Sequence, residues 1–211
     1  MRVGLFGGTF DPVHNGHLRV AEEVREFFFL DRVYFIPTFI QPLKQNLKAA
    51  DAEDRFRMLR MALGDNGCFR VSRFEIRKRS VSYSIDTVRA FGKRFSDLYF
   101  IIGVDAFSDL RFWRDYKELL SATNFIVMTR PTHGSVRLAE LLPEDVRGEM
   151  RGVDASVCEH LSGKKSYLHK ITQLDVSSTK IRELHKQGRS IKYLLPRSVE
   201  EFIQKRGLYS H

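Results

Sequence analysis

The sequence predicts an α/β fold: a doubly wound, mostly parallel sheet with helices on both faces and a small helical part at the C-terminus. Three observations lead there. Residues 2–37 read as strand, helix and strand in succession, the order of a right-handed parallel crossover. Residues 98–102 and 124–128 are two apolar runs of strand length, as expected for strands buried on both faces. Around them the chain keeps alternating strand and helix patterns.

The elements follow in order. Residues 2–6 are apolar and β-prone and stop at Gly7-Gly8. Past Pro12 a helical pattern begins near Gly16, with Leu18, Ala21, Val24 and Phe28 on one face and Glu22, Glu23 and Arg25 turned away. Residues 32–36 form the second strand, closed by Pro37. A helix is expected over 52–63, a strand over 69–74 and a helix over 84–95 with Ser84 as its N-cap. The strand at 98–102 ends at Gly103. From Pro143 to Lys170 charges and glycines break the pattern, so a surface excursion near 143–167 is expected. A last strand is expected over 170–175, then helices over 177–185 and 196–205. The second of these has Pro196 at its first position and Gly207 past its end. The reading is one domain over 1–211, with a core to 175 and a helical part from 176.

Composition narrows the function classes. A chain of 211 residues with 43% hydrophobic content supports one substantial core. Lys and Arg number 35 against 26 Asp and Glu, a net charge of +9 that favours polyanionic partners. The charge is spread along the chain rather than gathered in a tail. Cys68 and Cys158 belong to no CxxC pair and read as reduced thiols. Residues 1–8 lack the basic start and long apolar middle of a signal peptide, and no apolar run approaches a membrane span. A cytoplasmic location is expected.

In doubly wound sheets ligands bind beyond the carboxyl ends of the strands. The loop after the first strand, Gly7-Gly8-Thr9-Phe10-Asp11-Pro12-Val13-His14-Asn15-Gly16-His17, therefore matters most. Gly7 and Gly8 let backbone N–H groups approach anionic oxygens. The spacing is neither GxGxxG nor GxxxxGK[ST]. His14 and His17 flank Asn15-Gly16 at a helix start, where free N–H groups and the dipole favour negative charge. A capping histidine beside a packed one, or half of a metal site, would give the same HxxH; the preceding GGTFDP loop turns the reading towards phosphate. Ser177, Ser178 and Thr179 open a second helix with Arg182 one turn on, a pattern shared by phosphate sites and by ordinary serine caps.

On these residues the sequence resembles the HxGH nucleotidyltransferases, and specifically bacterial nicotinate-nucleotide adenylyltransferases. GGTFDPVHNGH is similar to their N-terminal signature, and Val176-Ser177-Ser178-Thr179-Lys180-Ile181-Arg182 to their second, usually ISSTxIR. Phe100-Ile101-Ile102-Gly103-Val104-Asp105, the aromatic pair Trp113 and Tyr116, Leu194-Leu195-Pro196 and Gly207-Leu208-Tyr209 extend the likeness to nearly the whole chain, apart from 143–167.

The resemblance implies a Rossmann-like nucleotidyltransferase fold. It also implies a reaction in which a mononucleotide phosphate attacks the α-phosphorus of ATP and pyrophosphate leaves. His14, His17, Lys44 and Arg182 would carry the catalysis. Gly7, Gly8, Thr9, Phe10, Gly103, Asp105, Ser177, Ser178 and Thr179 would join His14, His17 and Arg182 around ATP, with Asp105 on a ribose hydroxyl. Lys44, Ser84, Trp113 and Arg130 would hold the acceptor, nicotinate mononucleotide, with Trp113 on the pyridine ring. Asp105 also suits a helix cap and Trp113 a core position. The chain departs from the usual PPHK with Gln41-Pro42-Leu43-Lys44, where Leu43 replaces an imidazole. Mg²⁺ is expected, held mainly through the ATP phosphates, with no residue assigned as a metal ligand.

Two rival readings carry different expectations. One keeps the chemistry and changes the acceptor to phosphopantetheine, or the reaction to cytidylyl transfer. The other is a non-catalytic nucleotide- or RNA-binding module, for which the chain shows no RNP, KH or helix-turn-helix signal. The expected partners are small molecules rather than nucleic acid or membrane, and the sequence carries no signal for oligomeric state.

Overall fold

The computed structural model describes residues 1–42, 49–64, 66–129, 137–152 and 154–210. Strand β1 (Arg2–Gly8) leads through helix α1 (Asn15–Phe27) to β2 (Arg32–Pro37), and α2 (Ala52–Ala62) leads to β3 (Phe69–Val71). Helices α3 (Phe74–Lys78) and α4 (Ser84–Gly92) precede β4 (Asp97–Gly103), and α5 (Val104–Ser108) and α6 (Tyr116–Ala122) precede β5 (Asn124–Thr129). Then come α7 (Leu138–Leu141), β6 (Met150–Arg151), β7 (Val157–His160), β8 (Lys165–Lys170), α8 (Ser178–Lys186) and α9 (Arg197–Arg206).

The strands form one sheet in the order β3-β2-β1-β4-β5-β8-β7-β6. Pairing is parallel from β3 across to β8 and antiparallel for β8–β7 and β7–β6. The order runs outward from β1 in one direction and from β4 in the other, so the crevice between their carboxyl ends is the switch point of the sheet.

Alternation along each strand divides the core into two layers. Val3, Leu5, Leu98, Phe100, Ile102, Phe125 and Val127 face α4, α5 and α6, meeting Ile85, Val88, Phe107 and Leu119. Phe6, Val33, Phe35, Ile101 and Ile126 face the other way, onto Ala21 and Val24 of α1, Met58 and Leu59 of α2, Ile181 of α8 and Ile203 of α9. Gly4 faces this second layer too, and no larger residue fits there, since a Cβ would stand 2.9 Å from Leu30 Cδ1 and 3.0 Å from Ile101 Cδ1. Both layers bury whole apolar side chains, each contributing about 1.5–3 kcal/mol.

Four sequence expectations are corrected. The strand expected over 69–74 ends at Val71, because Ser72 Oγ accepts from Phe74 N at 3.2 Å and turns the chain into α3. The helix expected over 84–95 ends at Gly92, and Ser84 is its first helical residue. Extended Tyr83 occupies the cap position without a side-chain bond. The excursion expected near 143–167 holds β6, β7 and part of β8, which prolong the sheet. The strand expected over 170–175 is displaced to Lys165–Lys170, and the chain leaves the sheet at Ile171.

Polar residues at buried positions hide these last strands from a reading of apolar period. Ser166 and His160 are buried, and the His160 ring is satisfied by Ser162 Oγ at 2.9 Å and Glu149 Oε2 at 3.1 Å. Near the C-terminus the differences are single residues: Ser177 and Pro196 are the caps of α8 and α9 rather than their first residues. Among the described residues no helix is long and apolar enough to cross a membrane.

Candidate active site

At the switch point β1 ends in Gly7-Gly8 and β4 in Gly103, and the loop from Thr9 to His14 carries the chain into α1. That loop bends sharply, with Phe10 at φ 51° and a cis Asp11-Pro12 bond, and it is fastened from three sides. Arg55 on α2 is wholly buried and donates to Ala50 O (2.9 Å), Thr9 O (2.8 Å) and Phe39 O (3.4 Å). Burial pulls its pKa down, with Asp11 opposing. From α8, Ser178 Oγ donates to Pro12 O at 2.9 Å and Arg182 Nη1 to Asp11 O at 2.6 Å. From the C-terminus, the Tyr209 hydroxyl donates to buried Asp11 Oδ1 at 2.5 Å.

His14 is the N-cap of α1. Its Nδ1 accepts from His17 N at 3.4 Å, and His14 N donates to His17 Nδ1 at 3.3 Å, a reciprocal capping box built from two imidazoles. The rings stack with centroids 3.7 Å apart and planes 25° from parallel. Gly16 makes room for this stack, since a Cβ there would stand 3.0 Å from His14 Nδ1. The capping alternative is therefore what His14 does in the folded chain, and the same ring lines the cleft. His17 sits edge-on to Phe10 and Phe6. Burial, and then the neighbouring His14, hold its pKa well below 6.5.

Three hollows meet here. One is lined by His14, Gly16, His17, Gly103, Asp105, Met128, Ser177 and Ser178, with Thr172 and Gln173 from the segment after β8. A second is lined by Thr9, Phe10, His17, Thr179 and Arg182, with Gln41 and Arg55. The third, between β1, β4 and α4, is walled by Gly7, Gly8, Ser84, Phe100, Gly103 and Trp113, with Glu75, Tyr83 and Arg114. His17 is common to the first two and Gly103 to the first and third. All the sequence-derived candidates among the described residues thus converge on one crevice. Lys44 and Arg130, with Leu43, lie outside the described residues.

Each candidate has a definite setting. Ser177 Oγ accepts from Lys180 N at 3.2 Å, an ordinary serine cap that turns the start of α8 towards the cleft. Arg182 Nη2 donates to Thr179 Oγ1 at 3.3 Å. Asp105 lies in the first turn of α5 and is exposed to the first hollow. Trp113 is half-buried and packs edge-on to Phe100 with ring centroids 6.1 Å apart, leaving part of the indole in the third hollow. Among the described residues no group of three or more His, Cys, Asp or Glu could hold a metal.

Sequence reasoning missed Arg55 and Glu75. Arg55 shares its helix face with Met58 and Leu59, and a charge on an apolar face was the signal that could have found it. Glu75 sits singly between Phe74 and Ile76 in a five-residue helix too short to show a period. Its carboxyl accepts from Thr87 Oγ1 at 2.6 Å. The arrangement offers donors and helix starts for a polyanion beside an aromatic-walled pocket, the parts that phosphoryl-type transfers require.

The chain is similar to known proteins over its whole length. A family model described as cytidylyltransferase-like matches residues 5–184. A protein of Pelobacter propionicus named "Probable nicotinate-nucleotide adenylyltransferase" is 42% identical over 213 residues, covering 100% of this chain and 99% of that one. One of the same name from Desulfatibacillum aliphaticivorans is 39% identical, covering 99% and 100%. Among solved structures, Plasmodium falciparum nicotinic acid mononucleotide adenylyltransferase complexed with NaAD superposes with a TM-score of 0.72 at 16% identity. It covers 99% of this chain and 97% of that one. That last likeness speaks to the fold.

Proposed function

From the premise that the chain belongs to the cytidylyltransferase-like family, and within it to the nicotinate-nucleotide adenylyltransferases, we propose that it transfers AMP from ATP to nicotinate mononucleotide, a step of NAD biosynthesis. A phosphate oxygen of the acceptor attacks the α-phosphorus of ATP, the bond to the β-phosphate oxygen breaks, and pyrophosphate leaves with nicotinate adenine dinucleotide as product. One observation carries this reading. The stacked His14–His17 pair and the start of α8 line a common crevice, and a separate pocket with Trp113 in its wall adjoins it across Gly103.

In this reading the adenosine lies in the first hollow, with Asp105 towards the ribose. The polyphosphate runs past His14 and His17 into the hollow of Thr9, Phe10, Thr179 and Arg182, and Ser177 and Ser178 add their N–H groups and hydroxyls. His17, poor in protons as the protein stands, gains affinity for one when polyphosphate charge arrives. The imidazolium then stabilises charge developing on the transferring phosphoryl group. Gly7 and Gly8 bring backbone close to the reacting phosphates. The acceptor ring lies on Trp113 with Ser84 and the start of α4 at its carboxylate, and Lys44 and Arg130 are proposed for its phosphate.

Mg²⁺ is proposed to enter with ATP and neutralise phosphate charge. It would be held mainly through phosphates and water. Gly7 and Gly8 of β1 line the crevice and Tyr209 holds Asp11 beside it, and the unit proposed to act is a single domain over 1–211. The partners proposed are these small molecules, and the free Cys68 and Cys158 accord with a cytoplasmic setting.

The test is pyrophosphate release from Mg²⁺-ATP with nicotinate mononucleotide, nicotinamide mononucleotide or phosphopantetheine. Release with the first, well above the other two, is expected. Release with phosphopantetheine alone would overturn the acceptor, and silence from folded protein would overturn the chemistry.

A further inference from the structure

The reaction proposed above brings two phosphates together, one from the acceptor pocket and one from the polyphosphate hollow. The walls of these two hollows have Thr38 and Gln41 in common. Thr38 Oγ1 is buried and meets no hydrogen-bond partner among the described residues, so no ligand reaches it. Gln41 is half-buried and stands at the same border with a terminal amide to offer.

The backbone leading to Gln41 is held from two directions. Thr38 N donates to Gly8 O at 3.0 Å, and buried Arg55 joins Thr9 O to Phe39 O. Ile40 bridges Val81, and its carbonyl accepts from Ser82 N at 2.9 Å. The amide is oriented as well, since Thr9 Oγ1 donates to Gln41 Oε1 at 3.0 Å. That engages the oxygen and leaves on Nε2 two N–H groups with no partner among the described residues. The chain departs here from the usual PPHK, and a proline would bring no side-chain donor to this border.

We propose that Gln41 binds the acceptor's phosphate where it meets ATP, donating from Nε2 to a phosphate oxygen that does not attack. Thr9 fixes which end of the amide faces that oxygen, so the donor is in place before the substrate arrives. An uncharged donor suits this position. It holds one oxygen still for in-line attack by another, and it leaves the charge of the attacking phosphate unneutralised. A hydrogen bond to a charged group is also among the stronger kinds.

This inference rests on the reading that the acceptor is nicotinate mononucleotide, and the experiment separates the two. Gln41→Met keeps the length of the side chain and removes its donors, and Gln41→Glu keeps its shape and offers acceptors alone. KM is measured for nicotinate mononucleotide and for ATP. Inhibition by nicotinate riboside, which has the ring and the sugar without the phosphate, is measured beside them. In Gln41→Met the KM for the mononucleotide is expected to rise about tenfold, and in Gln41→Glu further still. KM for ATP and inhibition by the riboside are expected to stay near the wild-type values.

An unchanged KM for the mononucleotide in both variants would overturn the role of Gln41 while leaving the function intact. Riboside inhibition weakened as much as the mononucleotide's KM would overturn it too, since Gln41 would then shape the pocket rather than hold the phosphate. Folded wild-type protein that turns over no nicotinate mononucleotide would overturn the function and this inference with it. Should Gln41→Met fail to fold, the same comparison in Gln41→Glu decides.

Discussion

Two glycine hydrogens and two imidazoles decide much at the residue scale. Placing a methyl group at Gly16 would push on the His14 ring 3.0 Å away, yet Ala in place of Gly inside a helix gains about 0.5–1 kcal/mol. The two effects offset in stability and not in geometry. Gly16→Ala is therefore expected to melt within a few degrees of wild type while kcat/KM falls about tenfold or more, since small displacements of positioned groups are costly. Unchanged turnover would show that the histidine stack tolerates displacement.

His17 supplies a pH dependence of known sign. It holds its proton less tightly in the folded chain than at the ordinary value of 6.5, by burial first and His14 second. Its contribution to stability is fully present above that value and is lost as the pH falls below it towards the folded pKa. His169, lowered by burial, acts in the same direction. Glu75, raised by burial, acts in the opposite one, its contribution lost as pH rises above 4.5 towards its folded pKa. The comparison that isolates His17 is the pH slope of the urea midpoint below about pH 6.5, wild type against His17→Gln. A shallower slope in the variant is expected, and equal slopes would contradict the assignment.

Elements explain what the sequence could and could not reveal. The first crossover was legible because α1 keeps one clean period and β1 and β2 are short apolar runs stopped by Gly7-Gly8 and Pro37, and β4 and β5 because strands buried on both faces are apolar throughout. The histidine and serine motifs were legible because each opens a helix. β7 and β8 were not, since Cys158, His160 and Ser166 occupy their buried positions and the stabilising partners of such residues come from distant segments. The same limit hid Arg55, whose three acceptors lie on two separate loops.

One such distant partnership gives a prediction for α8. Ser178 at its first turn holds Pro12 O, and with Arg182 it sets where the start of the helix stands against α1. Ser178→Ala is expected to cost about 1 kcal/mol of stability and to raise KM for ATP about tenfold with a smaller change in KM for the acceptor, read by steady-state kinetics. Equal effects on both substrates would mean that α8 supports the whole crevice rather than its polyphosphate arm.

Taken as a whole, the molecule closes its C-terminal part onto its first loop, α1 and α2. Besides Ser178 and Arg182, Asn15 Nδ2 donates to Tyr193 O at 2.7 Å, Arg206 meets Asp54 of α2 at 3.2 Å and Tyr209 reaches Asp11. The crevice is thus assembled from residues more than 160 positions apart, such as Pro12 and Ser178, and a fold of this connectivity forms its site only once the last helices are in place. Among the described residues the eight-stranded sheet beneath it ends on one side in the three residues of β3 and on the other in the two residues of β6. Such clipped borders leave hardly any unpaired backbone for a foreign strand to template upon. The sheet can therefore be wide without inviting fibrous self-association, and an insertion that lengthened β3 or β6 would remove that protection before it disturbed the chemistry.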